Sequence, residues 1–326
     1  MGQHRRRLAA PRPDRQRARR RVRRARRLRL PVHRTGARVS RRALVTGATG
    51  FVGRHLVARL AVDGWQVDAL VRAADPRLPP DVALHAIPPD VDGIVDLVGG
   101  LAPDVCFHLA TAFRGVHVPA DIVLMVEANV TFGTMLAEAV TRAGGCRFVN
   151  TGTAWQHHDT RPYSPVSLYA ATKQAFTDVL VFYAEVEGLD VVTLELTDTY
   201  GPGDTRPKLL PVLARAARDG TALELTDGTQ LIDLLHVSDA VAALLATADG
   251  ERDATYGASS GGAISLRELV ATFEAASGLT VDARWGVRPS RPREMLRPWM
   301  ISGPPPGWRA EVSLEDGIRE LLAATS

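Results

Sequence analysis

Short apolar runs alternate with longer amphipathic stretches along most of this chain. Ala43-Leu44-Val45 is a run of the first kind and ends in glycines at 47, 50 and 53. Behind them Phe51, Val52, Leu56, Val57 and Leu60 fall on one side of a helical projection, with Arg54, His55 and Arg59 on the other. Further strands are predicted at Trp65–Arg72, Val82–Ile87, Asp104–Thr111, Cys146–Thr153 and Val191–Leu196. A helix is predicted over Asp121–Arg142, where Asn129 breaks the apolar face and so implies a buried polar contact. Another opens near Ser167 and runs through Phe182. This alternation predicts an α/β fold, a doubly wound parallel sheet. Near the C-terminus Ser265-Leu266 opens a helix, and Ser313 is an N-cap with Asp316 at capping-box distance.

Charge changes the picture at one end only. The 326 residues are 45% hydrophobic, enough for a large core in one or two domains. Residues 1–42 hold 18 arginines against one acid, Asp14, which leaves 22 basic and 35 acidic side chains in 43–326. The body is therefore acidic and is not expected to bind nucleic acid. The arginine-rich arm cannot fold alone. An RNA-binding arm, a targeting peptide (which would need an apolar segment that does not follow) and an upstream translated extension with a start nearer Val39 compete for it; the last is the expectation. Cys106 and Cys146 sit in strand-like runs as buried thiols of a reducing, cytoplasmic protein. No metal site is expected, and no uninterrupted apolar run reaches the ~18 residues of a membrane span.

The glycines supply the first chemistry. A strand, a Gly47-x-x-Gly50-x-x-Gly53 turn and a helix start form an anion site, in which bare backbone lets a pyrophosphate approach the helix N–H groups. Gly47, Thr49, Gly50, Phe51, Val52 and Gly53 are the expected cofactor contacts of a Rossmann fold. Where such a fold places an acid for the NAD ribose this chain has Val71 and then Arg72, whose guanidinium suits the 2′-phosphate of NADP. Asp90 and Val91 are expected near the adenine, and Leu109, Ala110 and Thr111 along the cleft. His108 reads as a packed core residue. Tyr169 and Lys173 lie four apart on one helical face, where an ammonium would lower the phenol pKa and make Tyr169 an acid or base.

The glycine turn, His108-Leu109-Ala110, Thr153, Tyr169-x-x-x-Lys173 and Tyr200-Gly201-Pro202-Gly203-Asp204 together resemble the extended short-chain dehydrogenase/reductases, over about 43–320. The resemblance implies an NADP-binding domain of 43–200 plus 229–252 and a smaller substrate domain of 201–228 plus 253–326. It implies that Thr153 hydrogen-bonds the reacting oxygen, that Tyr169 is the acid or base, and that Lys173 holds the nicotinamide ribose. It also implies a nucleotide-sugar substrate and a homodimer. Asp198 stands where the family has Asn, and Ile232 where it has an arginine. Arg206, Lys208, Gln230 and Arg293 are candidate diphosphate or base contacts, and Arg291-Pro292-Arg293-Glu294 resembles a phosphate-binding turn. His236 and Asp239 read as anchors of a domain crossover. His157 and His158 are expected in a solvated loop, with contact to the sugar as the alternative.

Family dehydratases carry an Asp-Glu pair after the Ser/Thr; here Ala154, Trp155 and Gln156 follow Thr153. Arg72 tilts the choice to reduction, and the Thr151-Gly152-Thr153-x-Trp155-Gln156-His157 run, the Tyr169–Lys173 helix and the Asp198–Arg206 segment resemble bacterial reductases of CDP- or dTDP-4-keto-6-deoxyhexoses, which implies an NADPH-dependent 4-ketoreductase of such a sugar nucleotide. An epimerase with bound NAD, a catalytically idle NADP sensor and a reductase of a non-sugar ketone remain open.

Overall fold

The computed structural model describes residues 40–291, 293–298 and 302–324. All but the last three residues of the arginine-rich arm thus lie outside the described residues. Seven parallel strands form one sheet: β1 (Arg42–Thr46), β2 (Gln66–Val71), β3 (Ala83–Ala86), β4 (Val105–His108), β5 (Arg147–Thr153), β6 (Asp190–Leu196) and β7 (Thr255–Ala258). Their spatial order is β3-β2-β1-β4-β5-β6-β7, which reverses direction between β1 and β4. Ligands of open parallel sheets sit beyond the carboxyl ends of the strands at such a reversal.

Nine helices are described: α1 (Phe51–Val62), α2 (Val91–Leu101), α3 (Asp121–Val126), α4 (Phe132–Arg142), α5 (Leu168–Phe182), α6 (Leu209–Asp219), α7 (Val237–Ala248), α8 (Leu266–Ser277) and α9 (Leu314–Ala323). The two-residue period of a strand decides which layer each side chain joins. Ala43 and Val45 of β1 pack with Leu56, Leu60, Val241 and Leu244 of α1 and α7. Leu44, between them, faces Ile94, Val140 and Phe176 of α2, α4 and α5. A third apolar cluster joins Leu213, Leu269, Phe273 and Ile318 of α6, α8 and α9 with Tyr200.

Three details depart from the sequence pattern. β4 stops at His108, because its neighbour β1 turns away at Gly47. Leu109 N still reaches the Thr46 carbonyl at 3.2 Å, but Ala110 N must take the Thr46 hydroxyl, 3.3 Å away. The helix expected over 121–142 is divided by a π-helical turn, Glu127–Thr131, which contains Asn129. That 22-residue helical run is long and apolar enough to cross a membrane by length and composition, yet Leu136, Ala137, Ala139 and Val140 are core residues of the sheet. Finally, Ser265 forms a full capping box with Glu268, whereas Asp316 gives Ser313 only its amide and a side-chain contact. Cys106 is fully buried, and burial pushes the half-buried Cys146 thiol up to about 12, so neither favours the thiolate.

Candidate active site

The carboxyl ends of β1, β4, β5 and β6 converge on one cleft. At its floor Gly47 has φ +70, and a Cβ there would stand 2.6 Å from Ala110 N. A Cβ on Gly53 would collide with the Gly47 carbonyl oxygen. The turn is closed by Gly50 N donating to Gly47 O at 2.9 Å. Gly50 then caps α1 with no side-chain hydrogen bond. The first-turn N–H groups at Phe51, Val52 and Gly53 are therefore left for an external acceptor, beside half-buried Thr49. This bare-backbone cradle fits a dinucleotide pyrophosphate. Arg72 is exposed just past the end of β2, with no hydrogen bond or ion pair to a described residue. Arg54, in the first turn of α1, donates to Gly203 O at 3.3 Å and has its Nε buried without a partner.

The structure adds detail at two cofactor-side positions. Asp90 is the N-cap of α2, its carboxylate accepting from Gly93 N at 2.9 Å, with Val91 the first helical residue. His108 is fully buried, bonded through Nδ1 to the Thr46 hydroxyl at 2.9 Å and ringed by Phe132, Phe148 and Phe176. Burial pushes it down to about 3, so it is neutral, as expected of a core histidine.

Asn129 explains its own placement. Its carbonyl accepts from the Thr111 hydroxyl at 2.9 Å and from Ala112 N at 2.7 Å. Its amide donates to Ala112 O at 3.1 Å and to the Thr172 hydroxyl at 2.9 Å, and that hydroxyl donates to Tyr169 O at 2.8 Å. The loop after β4 is thereby tied to the helix carrying Tyr169 and Lys173.

Ser167 caps α5, and Tyr169 and Lys173 follow in its first two turns. Lys173 is buried, and loss of solvent pushes its ammonium down to about 8. Tyr169 is half-buried and edge-on to Phe113 at 4.9 Å. The expected fall in its pKa is reversed: burial pushes the phenol up to about 12, which the hydrogen bond to Thr111 offsets only in part. Thr153 ends β5, buried, with its hydroxyl accepting from Trp155 N at 3.3 Å. An accepting hydroxyl keeps its own proton to donate into the cleft.

Next to these lies a cavity of about 500 Å³, lined in part by Trp155, Asp198, Lys208, Gln230, Arg291 and Arg293. Asp198 faces a donor, Lys208 Nζ at 2.7 Å. The same ammonium lies 4.1 Å over the Phe113 ring and 5.3 Å from that of Trp155. This aromatic wall escaped the sequence reading, because Phe113 and Trp155 lie 42 positions apart with no shared pattern. Ile232 lines the cavity where the family has an arginine, and Arg288 adds a cation from the far side. Gln230 hydrogen-bonds Thr226 at 2.9 Å. Arg206 is a correction: it does not line the cavity. Buried Asp204 holds its guanidinium at 2.7 and 2.8 Å, and its Nη2 donates to Thr199 O at 2.6 Å. It stacks 4.1 Å over Phe51, behind the glycine turn. A bidentate carboxylate holds a guanidinium firmly, so the nearby acid claimed it.

His157 is also corrected. It is 3% exposed rather than solvated, and pairs with Glu195. The signal for it was an acid inside the apolar run Val191–Leu196. His236 and Asp239 serve as anchors: His236 bonds the Ser238 hydroxyl at 2.8 Å, and Asp239 accepts from Val312 N at 3.0 Å.

The sequence profile of the NAD dependent epimerase/dehydratase family matches residues 43–257. The chain is 30% identical over 309 residues to dTDP-6-deoxy-L-talose 4-dehydrogenase (NAD(P)(+)) of Kitasatospora kifunensis, covering 87% of this chain and 96% of that protein. It is 25% identical to CDP-abequose synthase of Salmonella typhimurium, covering 86% and 96%. Among solved structures it is similar to MoeE5 in complex with UDP-glucuronic acid and NAD, at 29% identity and a TM-score of 0.76, covering 87% and 98%.

Proposed function

Because the chain belongs to the NAD dependent epimerase/dehydratase family, as an NAD(P)-dependent oxidoreductase of nucleotide-sugar metabolism, we propose that it is an NADPH-dependent 4-ketoreductase. Its substrate is a dTDP- or CDP-linked 4-keto-6-deoxyhexose. The observation that carries this reading is that Phe113 and Trp155, which touch Tyr169 and Thr153, line a cavity that also bears Lys208, Arg288, Arg291 and Arg293. Named sugar-nucleotide enzymes of dTDP and CDP substrates among the relatives support the substrate class.

When bound, the reduced nicotinamide supplies hydride to the C4 carbonyl carbon. The residues do the rest. The Thr153 hydroxyl donates a hydrogen bond to the carbonyl oxygen, which strengthens as negative charge develops there. Tyr169, protonated at neutral pH, gives its proton to that oxygen; an alkoxide is far more basic than a phenolate, so the transfer is downhill. Lys173 holds the ribose side of the cofactor. Phe113 and Trp155 exclude water and offer an apolar face to a sugar lacking its 6-hydroxyl. Asp198 and Lys208 neutralise each other, so the carboxylate does not repel a diphosphate.

The homodimer belongs to the same proposal. Ile122, Val123 and Val126 of α3 and Val181 and Phe182 of α5 are between 40% and 64% exposed, on two helices that pack together. A second copy covering this face would bury it.

The test is NADPH oxidation against a panel of dTDP- and CDP-4-keto-6-deoxysugars, with the product defined by NMR. Turnover of one panel member at NADPH expense supports the reading. Tightly bound NAD in the purified protein, with no net NADPH consumption, would assign an epimerase instead.

A further inference from the structure

Beside the catalytic strand lies a buried acid–imidazole pair that the proton and hydride transfers leave unused. His157 follows the 3-10 turn Ala154–Gln156, which Thr153 caps. Its Nδ1 is 2.6 Å from the Pro162 carbonyl oxygen, and its Nε2 is 3.0 Å from Glu195 Oε1. A carbonyl only accepts, so Nδ1 donates, and Nε2 faces the carboxyl group of Glu195. The ring is therefore bonded at both ends. The sequence makes room for this across the sheet: a Cβ on Gly152 would stand 2.8 Å from Glu195 Cγ.

The pair sits at the base of a loop, 157–164, closed by a parallel bridge between His157 and Ser164. His158 N donates to Ser164 O at 2.7 Å, Ser164 N to Gln156 O at 2.8 Å, and Val166 N to Trp155 O at 3.0 Å. At its tip Asp159 and Thr160 have φ of 58 and 56, a left-handed conformation that non-glycine residues keep only when their surroundings impose it. The base thus carries the load of ordering the loop. One group of the cavity wall, Arg293, is tied to it, and Arg291 lies beside Trp155. The Ser164 hydroxyl accepts from Arg293 Nη2 at 2.6 Å, and the Arg291 guanidinium lies 5.9 Å from the Trp155 ring.

We propose that His157 and Glu195 are positioning residues for the substrate. By fixing the 157–164 loop they set Ser164, and Ser164 sets Arg293, at the place where the cavity meets an anionic ligand. The inference rests on the nucleotide-sugar reading above, in that the anion is a nucleoside diphosphate. Neither residue touches the reacting atoms, so their loss is felt in ligand affinity rather than in the chemical step.

The probes are dTDP, CDP and UDP, titrated calorimetrically into the purified full chain, with NADPH binding measured alongside. Ser164→Ala removes only the hydroxyl that holds Arg293, and His157→Ala removes the pair. Each is expected to weaken the best diphosphate by about 10-fold, the size of a lost charge-assisted bond, with NADPH affinity unchanged. Ser164→Thr, which keeps the hydroxyl, restores the affinity. The double variant Ser164→Ala/His157→Ala is no weaker than the worse single one, because both act through one chain of contacts. With a turned-over substrate the loss appears in KM and not in kcat. Undiminished diphosphate binding in Ser164→Ala, or additive losses in the double variant, overturns the inference while the nucleotide-sugar reading stands. Failure of the unaltered protein to bind any of the three diphosphates overturns both.

Discussion

Replacing Arg72 by alanine isolates the choice of cofactor. Arg72 is exposed at the end of β2 and bonded to no described residue, so its loss removes no internal contact. Stability should move by no more than about 0.5 kcal/mol. A guanidinium bonded to a 2′-phosphate is worth about 1.5–3 kcal/mol, which is about 10- to 150-fold in affinity. Because the site is open to solvent, screening by salt brings the effect towards the lower figure at physiological ionic strength, where the Debye length is about 8 Å. The assay is kcat/KM for NADPH and for NADH, in both proteins, at low and at moderate salt. NADPH should lose at least about 10-fold and NADH less than about twofold, with the gap narrowing as salt rises. Equal losses for both cofactors would place Arg72 on a shared part of the dinucleotide. No loss for either would remove the argument for NADP altogether.

Tyr169→Phe should lower turnover by about 10²- to 10⁴-fold, the usual worth of a positioned proton donor, while NADPH still binds; retained turnover would falsify its assignment as the acid. The reductive rate should stay level across neutral pH and fall above about 8, as the buried Lys173 ammonium gives up its proton while Tyr169, pushed up to about 12, keeps its own. A rate that climbs with pH through this range would mean that the phenolate is the working form. Val123→Asp, at a side chain 64% exposed on α3, should shift the protein from dimer to monomer in sedimentation velocity, and an unchanged dimer would move the interface elsewhere.

The cofactor half of the cleft was legible because its chemistry is local. A strand, three glycines and a helix start are consecutive in sequence, and the backbone contacts that demand Gly47 and Gly53 lie within the turn or against the next strand end. Tyr169 and Lys173 are four apart for the same reason. Asn129 announced itself as a polar residue on an apolar helical face, and it does bridge the loop after β4 to α5. The substrate half was much less legible. Its wall is assembled from residues near 113, 155, 208 and 291, which only the fold brings together. Arg206 shows the limit from the other side. A cation two residues from a buried acid reads from sequence as free to meet a phosphate, but Asp204 holds it behind the glycine turn.

The sign of the Tyr169 shift bears on the direction of the reaction. Sequence spacing suggested that Lys173 would draw the phenol pKa down, yet burial dominates and the pKa rises to about 12. To reduce a ketone, this is no handicap, since the residue must arrive carrying a proton and give it to a stronger base. To oxidise an alcohol, which an epimerase must do first, the residue has to take a proton, and the scarce phenolate is the species required. An added positive charge next to the ring would close that gap, and the oxidised nicotinamide carries one. Oxidation therefore needs the oxidised cofactor in place before Tyr169 can act as a base, whereas reduction finds its acid ready. A phenol held protonated is the form that the proposed reduction uses.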